Sequence, residues 1–324
     1  MNKIKNIVFM GTPDFAIPSL DILIKNNYAP CLVITQPDKP KGRKLIPQSP
    51  PVKIFANNYS IPVLQPENIN NLDVIRTIKN VKPDLIITVA YGMFLGKELR
   101  TLCPYGAINL HPSLLPLHRG ADPVRNTLLY NDSICGVSVF FISSKMDSGN
   151  IILQRNFNID DNYNYSELSS YLASNGAEAV LDSIAILERK SLKFKDLKNS
   201  FPKQDNLIAT YSSKLIKTDT YYSNTFTAKD LNIKVKSYSY EPGFVSFFRN
   251  KSLKILKVKI LDTISNISPG TIVNLVKNIG FIISTSDYDV LVESVQPEGK
   301  KIMTAWEFNI GARIEIGEKI ESPV

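Results

Sequence analysis

"DLIITVAYGMFLGKELRTLCPYGAINLH" (residues 84–111) contains two short apolar runs separated by a polar connection with turn residues. The runs at 84–90 and 107–111 are rich in Ile and Val, which is typical of strands buried on both faces of a parallel sheet. Two earlier runs, residues 5–10 and 30–35, have the same character. We therefore predict that these four runs form the centre of one mostly parallel sheet.

Amphipathic stretches connect the apolar runs. Residues 13–27 and 70–81 space their apolar side chains at three and four, as helices packed on a sheet do. The alternation predicts the α/β class with a Rossmann-like sheet, whose functional residues gather at the carboxyl ends of the strands. A further strand pair is predicted at 136–142 and 150–157, followed by a helix at 163–189.

The second half of the chain has a different texture. We predict a domain at residues 1–189, a basic linker at 190–208, and a C-terminal domain at 209–324 in which short alternating runs form a small OB-like β-barrel. Residues 1–189 carry 18 Lys and Arg against 16 Asp and Glu, which leaves +6 of the net charge of +8 in residues 190–324. A basic surplus fits a polyanionic partner such as a nucleic acid, but a general bias toward lysine explains it equally well.

Composition excludes several classes of protein. A chain of 324 residues with 44% hydrophobic residues can bury a sizeable core. The first apolar run is too short for a signal peptide, and no segment approaches the ~20 apolar residues of a membrane span, so we expect a soluble, cytoplasmic protein. Cys31, Cys103 and Cys135 lie far apart, which predicts mostly buried thiols rather than disulfides. With only two histidines in the chain, no metal site is expected.

Two polar residues end the strand at 107–111. Asn109 and His111 are two positions apart, so their side chains share one face of the strand. Such a pair can donate to an oxygen that gains negative charge and can move a proton near neutral pH, although a strand end with a structural histidine has the same pattern. Asp147 lies in a Met-Asp-Ser-Gly turn after the next strand, where a carboxylate can orient His111 or relay protons through water, or simply shape the turn.

The sequence around these residues resembles a known family. "NLHPSLLPLHRGADP" followed by "MDSG" is similar to the signature of the folate-dependent formyltransferases. The segments "GTPDFA", "TQPDKPKGRKLIP", "VAYG", "ATYSSKL" and "QPEGKKIM" resemble the branch of that family whose acceptor is methionyl-tRNA. The chain departs from the family pattern at Asp122, where a small residue is usual, and it lacks the tryptophans usual near 218–223 and 241–243.

The resemblance implies a reaction and a division of roles. The formyl group of 10-formyltetrahydrofolate moves to the amino group of methionyl initiator tRNA, without a metal. Asn109, His111 and Asp147 are the implied catalytic residues. Folate binding is implied for Ala90, Tyr91, Gly92, Ser113, Leu114, Leu115, Pro116 and Ser143. Acceptor contacts are implied for Phe15, Lys41, Arg43 and Lys44, although Phe15 fits a helix core equally well.

Other members of the family provide alternative readings. A formyltransferase for a nucleotide or amino sugar, or a formyltetrahydrofolate hydrolase, shares the Asn-His-Asp set, but neither explains a basic second domain. A non-enzymatic RNA-binding protein is disfavoured by the intact set. We expect a monomer. His118 follows a proline-bounded polar stretch and is predicted to be an exposed loop residue without a catalytic role.

Overall fold

The computed structural model describes residues 4–41, 46–190 and 194–323. The chain divides into two compact units. Unit 1 consists of residues 1–123, 134–158 and 169–212, and unit 2 consists of 124–133, 159–168 and 213–324. The chain therefore enters unit 2 three times. The predicted boundaries at 189 and 208 stay a prediction.

Unit 1 contains eleven described strands: β1 (Ile7–Gly11), β2 (Leu32–Ile34), β3 (Lys39–Lys41), β4 (Ile46–Gln48), β5 (Val63–Leu64), β6 (Leu85–Val89), β7 (Ala107–His111), β8 (Arg119–Gly120), β9 (Ile134–Phe141), β10 (Ile151–Asn158) and β11 (Tyr211–Ser212). Its helices are a 3-10 turn (Asp14–Ala16), α1 (Ile17–Lys25), α2 (Pro51–Asn58), α3 (Leu72–Asn80), α4 (Lys97–Arg100) and α7 (Phe194–Asn199). Two more helices, α5 (Pro123–Leu129) and α6 (Tyr165–Arg189), have residues in both units.

The main sheet of unit 1 has seven strands in the order β10-β9-β7-β6-β1-β2-β5. The five strands from β7 to β5 are parallel, while β9 and β10 run antiparallel to their neighbours. β1, β2 and β6 are buried along their whole length, which explains why their sequences are continuous apolar runs. The predicted α/β class with a mostly parallel sheet is confirmed.

A two-stranded parallel pair, β8 with β11, connects the middle of unit 1 to its last residues. The preceding segment, α7 and the residues after it, contacts the end of β9: the rings of Phe194 and Phe201 lie 6.1 and 5.6 Å from that of Phe141. Leu197 is buried, and the Asn150 amide donates to the carbonyls of Lys198 and Phe201. Residues 194–212 thus form part of the first unit's packing.

Unit 2 is built on antiparallel strands. They are β12 (Phe244–Phe248), β13 (Lys251–Ile260), β14 (Ile272–Val276), β15 (Gly280–Ile283), β16 (Val290–Pro297), β17 (Met303–Thr304) and β18 (Ile320–Glu321). The sheet order is β14-β15-β16-β13-β12-β18, with β17 paired to β16. An antiparallel bridge from Thr271 to Lys319 joins the two edges. The predicted small barrel is confirmed as this curled sheet.

Two helices of unit 2, α8 (Ala228–Tyr238) and α9 (Ala305–Ala312), pack on the curled sheet, and a short 3-10 helix (Lys217–Thr220) precedes them. Each of the two begins with a threonine whose hydroxyl accepts from the main-chain N–H three residues on. Their buried faces join a core that includes Leu231, Val235, Phe244, Phe281 and Ala305.

The sequence predicted mostly buried thiols and no membrane span. Cys103 and Cys135 are buried and Cys31 is half-buried, as predicted. Burial raises the pKa of the Cys103 thiol to about 12 and also raises the pKa of Cys31. No helix in the described ranges has both the length and the apolar composition needed to cross a membrane.

Candidate active site

β7 brings the polar pair to the carboxyl edge of the main sheet. Asn109 is half-buried and His111 is 4% exposed, and both side chains lie on the same face, as predicted. Leu110 points the other way, against α6: a Cβ added at Gly176 would lie 2.7 Å from its Cδ2 atom. Packing on one face of β7 therefore fixes the direction of the polar side chains on the other.

Thr88 on β6 lies directly opposite Asn109 in the parallel register. Its hydroxyl donates to Oδ1 of Asn109 at 2.5 Å, and the carbonyl of Ile108 lies 3.2 Å from the same oxygen atom of Thr88. Because this contact engages the carbonyl end of the Asn109 amide, the NH₂ end is the part left to donate to another group. Sequence reasoning missed Thr88, although its place at the end of the adjacent strand was a usable signal.

Both ring nitrogens of His111 face oxygen atoms of the protein. Nε2 lies 2.9 Å from the main-chain carbonyl of His118, and since a carbonyl can only accept, Nε2 carries the hydrogen. Nδ1 lies 3.8 Å from Oδ2 of Asp147. That distance is longer than a direct hydrogen bond. Nδ1 is therefore the atom through which this imidazole can exchange a proton.

Asp147 is oriented from its main chain as well as from its carboxylate. Its Oδ2 accepts from the N–H of Gly120 at 2.8 Å. Its φ of 47° lies in the left-handed region, which a non-glycine residue keeps only when surrounding contacts hold it. β9, which leads to Asp147, pairs with β7, so the turn of Asp147 lies beside the strand that carries Asn109 and His111. Their catalytic roles remain a prediction.

The segment predicted to touch folate after His111 is fixed by side chains from β9 and β10. Ser138 accepts from the N–H of Leu115 at 3.1 Å and donates to the carbonyl of Ser113 at 2.6 Å. Gln154 donates to the carbonyl of Leu115. The Ser113 hydroxyl closes the turn by donating to the carbonyl of Leu117. Within this turn, the peptide bond between Leu115 and Pro116 is cis. Leu114 and Pro116 are half-buried.

The other predicted folate residues follow β6 and β9. Ala90 is exposed with a φ of 47°, and Gly92 is exposed with a φ of 81°. Between them Tyr91 is buried, which raises its pKa, and its carbonyl accepts from Thr12 and Gln36. Ser143, in the loop after β9, donates to the carbonyl of Lys145 and contacts Ser148. Ala90 and Gly92 thus expose main chain at the same sheet edge as Asn109.

The predicted acceptor residues are described only in part. Phe15 is half-buried in the 3-10 turn that follows β1. The main chain of Lys41 lies in β3, which pairs with β4. Arg43 and Lys44 lie outside the described residues. The proposed contacts of these four residues remain predictions.

His118 corrects one expectation. It was predicted to be exposed but is 5% exposed, with a φ of 55°. Its main-chain N–H donates to Thr210 at 2.8 Å, and the β8–β11 pair begins at the next residue. The sequence motif does not reveal this cover, because the covering residues lie about ninety positions downstream. The side chain still has no assigned chemistry, but its carbonyl anchors His111.

Arg119 and Gln204 form a buried network behind the site that sequence reasoning missed. Arg119 is 2% exposed, and its guanidinium donates to Oε1 of Gln204 at 3.0 and 2.7 Å. The Gln204 amide in turn donates to the carbonyls of Asp147 and Gly149, both at 2.8 Å.

In the part of the chain that the structure describes, no group of three or more His, Cys, Asp or Glu side chains could hold a metal ion.

Comparison with known proteins assigns both halves of the chain to one family. The formyl transferase model matches residues 5–184, and the model of the formyl transferase C-terminal domain matches residues 214–313. A methionyl-tRNA formyltransferase of Acetivibrio thermocellus is 34% identical over 313 residues, which cover 96% of this chain and 98% of the relative. That of Desulforamulus reducens is 37% identical over 313 residues and 96% of each chain.

Solved structures of more distant proteins share the fold. HypX from Aquifex aeolicus, in complex with tetrahydrofolic acid, matches with a TM-score of 0.65 at 14% identity over 97% of this chain. The match covers 48% of HypX, so this chain spans about half of that protein. WlaRD, a sugar 3N-formyl transferase, matches with a TM-score of 0.63 at 21% identity, over 93% of this chain and 100% of WlaRD.

Proposed function

The chain belongs to the formyl transferase family, and from this premise we propose that it transfers the formyl group of 10-formyltetrahydrofolate to the amino group of methionyl initiator tRNA. The observation that carries the proposal is the arrangement of Asn109, His111 and Asp147 at the carboxyl edge of the sheet, in a chain related over nearly its full length to proteins of this activity. The chain is accordingly an enzyme, a one-carbon transferase.

We assign Asn109 the role of a hydrogen-bond donor. When an amine attacks a formyl carbon, the formyl oxygen gains negative charge, and a donor fixed in advance lowers the barrier. Thr88 holds the Asn109 carbonyl end, so the NH₂ end needs no reorientation during the reaction. The half-buried position limits competition from water.

We assign His111 and Asp147 the handling of the proton. The attacking amine loses a proton as the new C–N bond forms, and the leaving nitrogen gains one. Nδ1 of His111 faces the Asp147 carboxylate at 3.8 Å, so we assign the pair the transfer of this proton. The Nε2 contact with His118 keeps the ring in this orientation throughout.

Folate supplies the activated formyl group, and the residues around the edge fit such a ligand. Ala90 and Gly92 expose main chain beside β7, and the turn of Ser113 to Pro116 is rigidly held next to His111. Main-chain groups in these two segments, with Tyr91 and Ser143, would hold the pterin. This assignment follows the family resemblance and the common sheet edge.

The acceptor assignments concern the basic regions. We propose that Phe15 contacts the methionine side chain and that Lys41, Arg43 and Lys44 contact the acceptor end of the tRNA. Residues 190–324 carry a net charge of +6, and this proposal makes the barrel a platform for tRNA. Since the charged initiator tRNA is a cytoplasmic substrate, the proposal places the enzyme in the cytoplasm. The monomeric state stays a prediction.

One assay tests the function against its alternatives. The full chain is supplied with 10-formyltetrahydrofolate and, separately, with methionyl initiator tRNA, a nucleotide amine, an amino-sugar nucleotide and no amine. We expect formyl transfer to methionyl-tRNA with a kcat/KM far above that for the small amines. Preferential use of a small amine, or release of formate as the main reaction, would refute the proposal.

A further inference from the structure

We propose that Gln204, oriented by the buried Arg119, is a positioning residue that sets the Asp147 carboxylate against His111. The inference rests on the proposed function, because it concerns the geometry of the residues assigned there. It assigns a role in catalysis to a residue about sixty positions beyond the catalytic motif.

Gln204 holds the turn that carries Asp147 at two points. Its Nε2 atom donates to the carbonyls of Asp147 and Gly149, which are the two ends of a three-residue segment. Gly149 itself is pressed against β9, since a Cβ at this position would lie 1.6 Å from the carbonyl oxygen of Phe141. With one end fixed by the sheet, the amide of Gln204 limits where the main chain of the other end, Asp147, can lie.

Asp147 has a left-handed main-chain conformation, which the hydrogen bond from Gln204 helps to stabilise. Aspartate adopts the left-handed region more readily than most residues, but a φ of 47° still costs conformational energy relative to negative φ, so contacts around the turn stabilise it. A rotation there swings the side chain, and the distance between Oδ2 and Nδ1 of His111 changes with it. The hydrogen bond to the Asp147 carbonyl opposes that rotation.

Arg119 determines which end of the Gln204 amide faces the turn. Two guanidinium N–H groups converge on Oε1, so the oxygen must point at Arg119 and the NH₂ group must point at the carbonyls. The guanidinium also donates to Asn206 at 3.0 Å and to the Tyr211 hydroxyl at 3.5 Å, but both of these residues are exposed, while Gln204 is buried. The amide therefore has one orientation, and that orientation supplies the turn with donors.

Three consecutive residues, His118 to Gly120, form hydrogen bonds with His111, Gln204 and Asp147. The carbonyl of His118 accepts from His111, the side chain of Arg119 holds Gln204, and the N–H of Gly120 donates to the Asp147 carboxylate. A single segment thus contacts the imidazole, the amide that holds the turn, and the carboxylate. A displacement of the Gln204 amide changes the spacing of the catalytic pair, while the hydrogen bond from His111 to the His118 carbonyl stays in place.

The decisive variant is Gln204→Glu. The carboxylate keeps an acceptor for Arg119, now charge-assisted, but it replaces the NH₂ donor with an oxygen that repels the carbonyls of Asp147 and Gly149. We expect kcat with methionyl-tRNA to fall at least about tenfold, because displacements near 1 Å cost up to a hundredfold. KM for both substrates should stay within about threefold, and thermal melts of the variant supply the folded fraction against which kcat is expressed.

Asn206→Asp is the matched control. It places a carboxylate on the same guanidinium but leaves the Gln204 amide and its two carbonyl partners in place. We expect its kcat to match the wild type. If Gln204→Glu has the kcat of Asn206→Asp, or if its loss of activity only follows the unfolded fraction or appears in KM alone, the positioning role is overturned.

A second variant distinguishes a folding defect from a loss of positioning, and the choice of acceptor distinguishes both from a failure of the proposed function. If Gln204→Glu does not fold, Arg119→Lys tests the same idea, since an ammonium cannot fix the amide with two N–H groups. Its kcat should fall several-fold at constant KM, and a wild-type kcat would overturn the inference. If the wild type uses another amine or water instead of methionyl-tRNA, the proposed function fails, and the same kcat comparison with that acceptor still decides the role of Gln204.

Discussion

Nε2 of His111 donates to the main-chain carbonyl of His118 at 2.9 Å, so the only two histidines of the chain are bonded to each other. One contributes an imidazole and the other contributes a carbonyl. This asymmetry means that replacing the two side chains should have very different consequences, even though both residues are buried.

His111→Ala should reduce kcat about a hundredfold or more, because it removes the group that exchanges a proton beside Asp147. His118→Asn keeps the carbonyl and suits the positive φ, since asparagine tolerates the left-handed region. We expect it to lower the melting temperature but to keep kcat within a few-fold. Formyl-transfer kinetics and thermal melts of both variants are the measurements, and equal losses of kcat would contradict the assignment.

Thr88→Val should reduce kcat by roughly five- to tenfold, the effect of losing one hydrogen bond that orients a catalytic donor. The binding of both substrates should change little. Thr35→Val is the control, since the Thr35 hydroxyl is buried and has no hydrogen-bond partner among the described residues. It should leave kcat unchanged and raise the free energy of unfolding by about 1 kcal/mol. A Thr88→Val enzyme with wild-type kcat would show that Asn109 needs no orientation.

Arg43→Ala should raise KM for charged tRNA about tenfold and leave folate affinity unchanged, because the loop is assigned to the acceptor and phosphate contacts depend on charge. Lys97→Ala removes an exposed charge from α4 and serves as the control. Kinetics with varied tRNA and a separate folate titration measure the two effects. Weaker folate binding with unchanged tRNA use would refute the assignment of Arg43.

Burial of the Cys103 thiol predicts that the free energy of unfolding decreases at alkaline pH. Its thiol titrates near 9.0 when unfolded, while burial raises the folded pKa to about 12, so the folded state holds the proton through that window. Stability due to this group is complete below pH 9 and falls as pH rises toward 12, by at most about 1.4 kcal/mol per pH unit. Cys103→Ala should be less stable than the wild type at pH 8, and denaturant titrations should show the gap narrowing toward pH 11. A constant gap would contradict this prediction.

Sequence reasoning predicted the parts of the fold that have a periodic signal. β7 was predicted with its observed bounds, residues 107–111, and the placement of Asn109 and His111 on one face followed from alternation along the strand. The runs of unit 2 gave the curled sheet for the same reason. Its two helices were missed, although Thr227 with Asp230 and Thr304 with Glu307 are capping-box signals.

The remaining features depend on contacts between distant positions. Thr88 was marked only by its place near the end of an apolar strand, and Gln204 by nothing in the sequence. Their importance comes from the register of β6 with β7 and from the return of the chain along β11. The burial of His118 has the same origin, since its cover is Thr210 and its neighbours. A one-dimensional pattern describes which face a side chain lies on, but not which later segment closes over it.

The pairing of β8 with β11 also has a consequence for how the protein is made. Asn109, His111 and Asp147 all leave the ribosome before β11 is synthesised, since Gln204 follows Asp147, the last of the three, by 57 positions. Chains fold from the N-terminus during translation, so the growing polypeptide holds its catalytic groups for some time without the residues that orient them. We therefore expect a nascent chain halted before residue 204 to transfer formyl groups more slowly than the full chain, and full competence to arise late in translation.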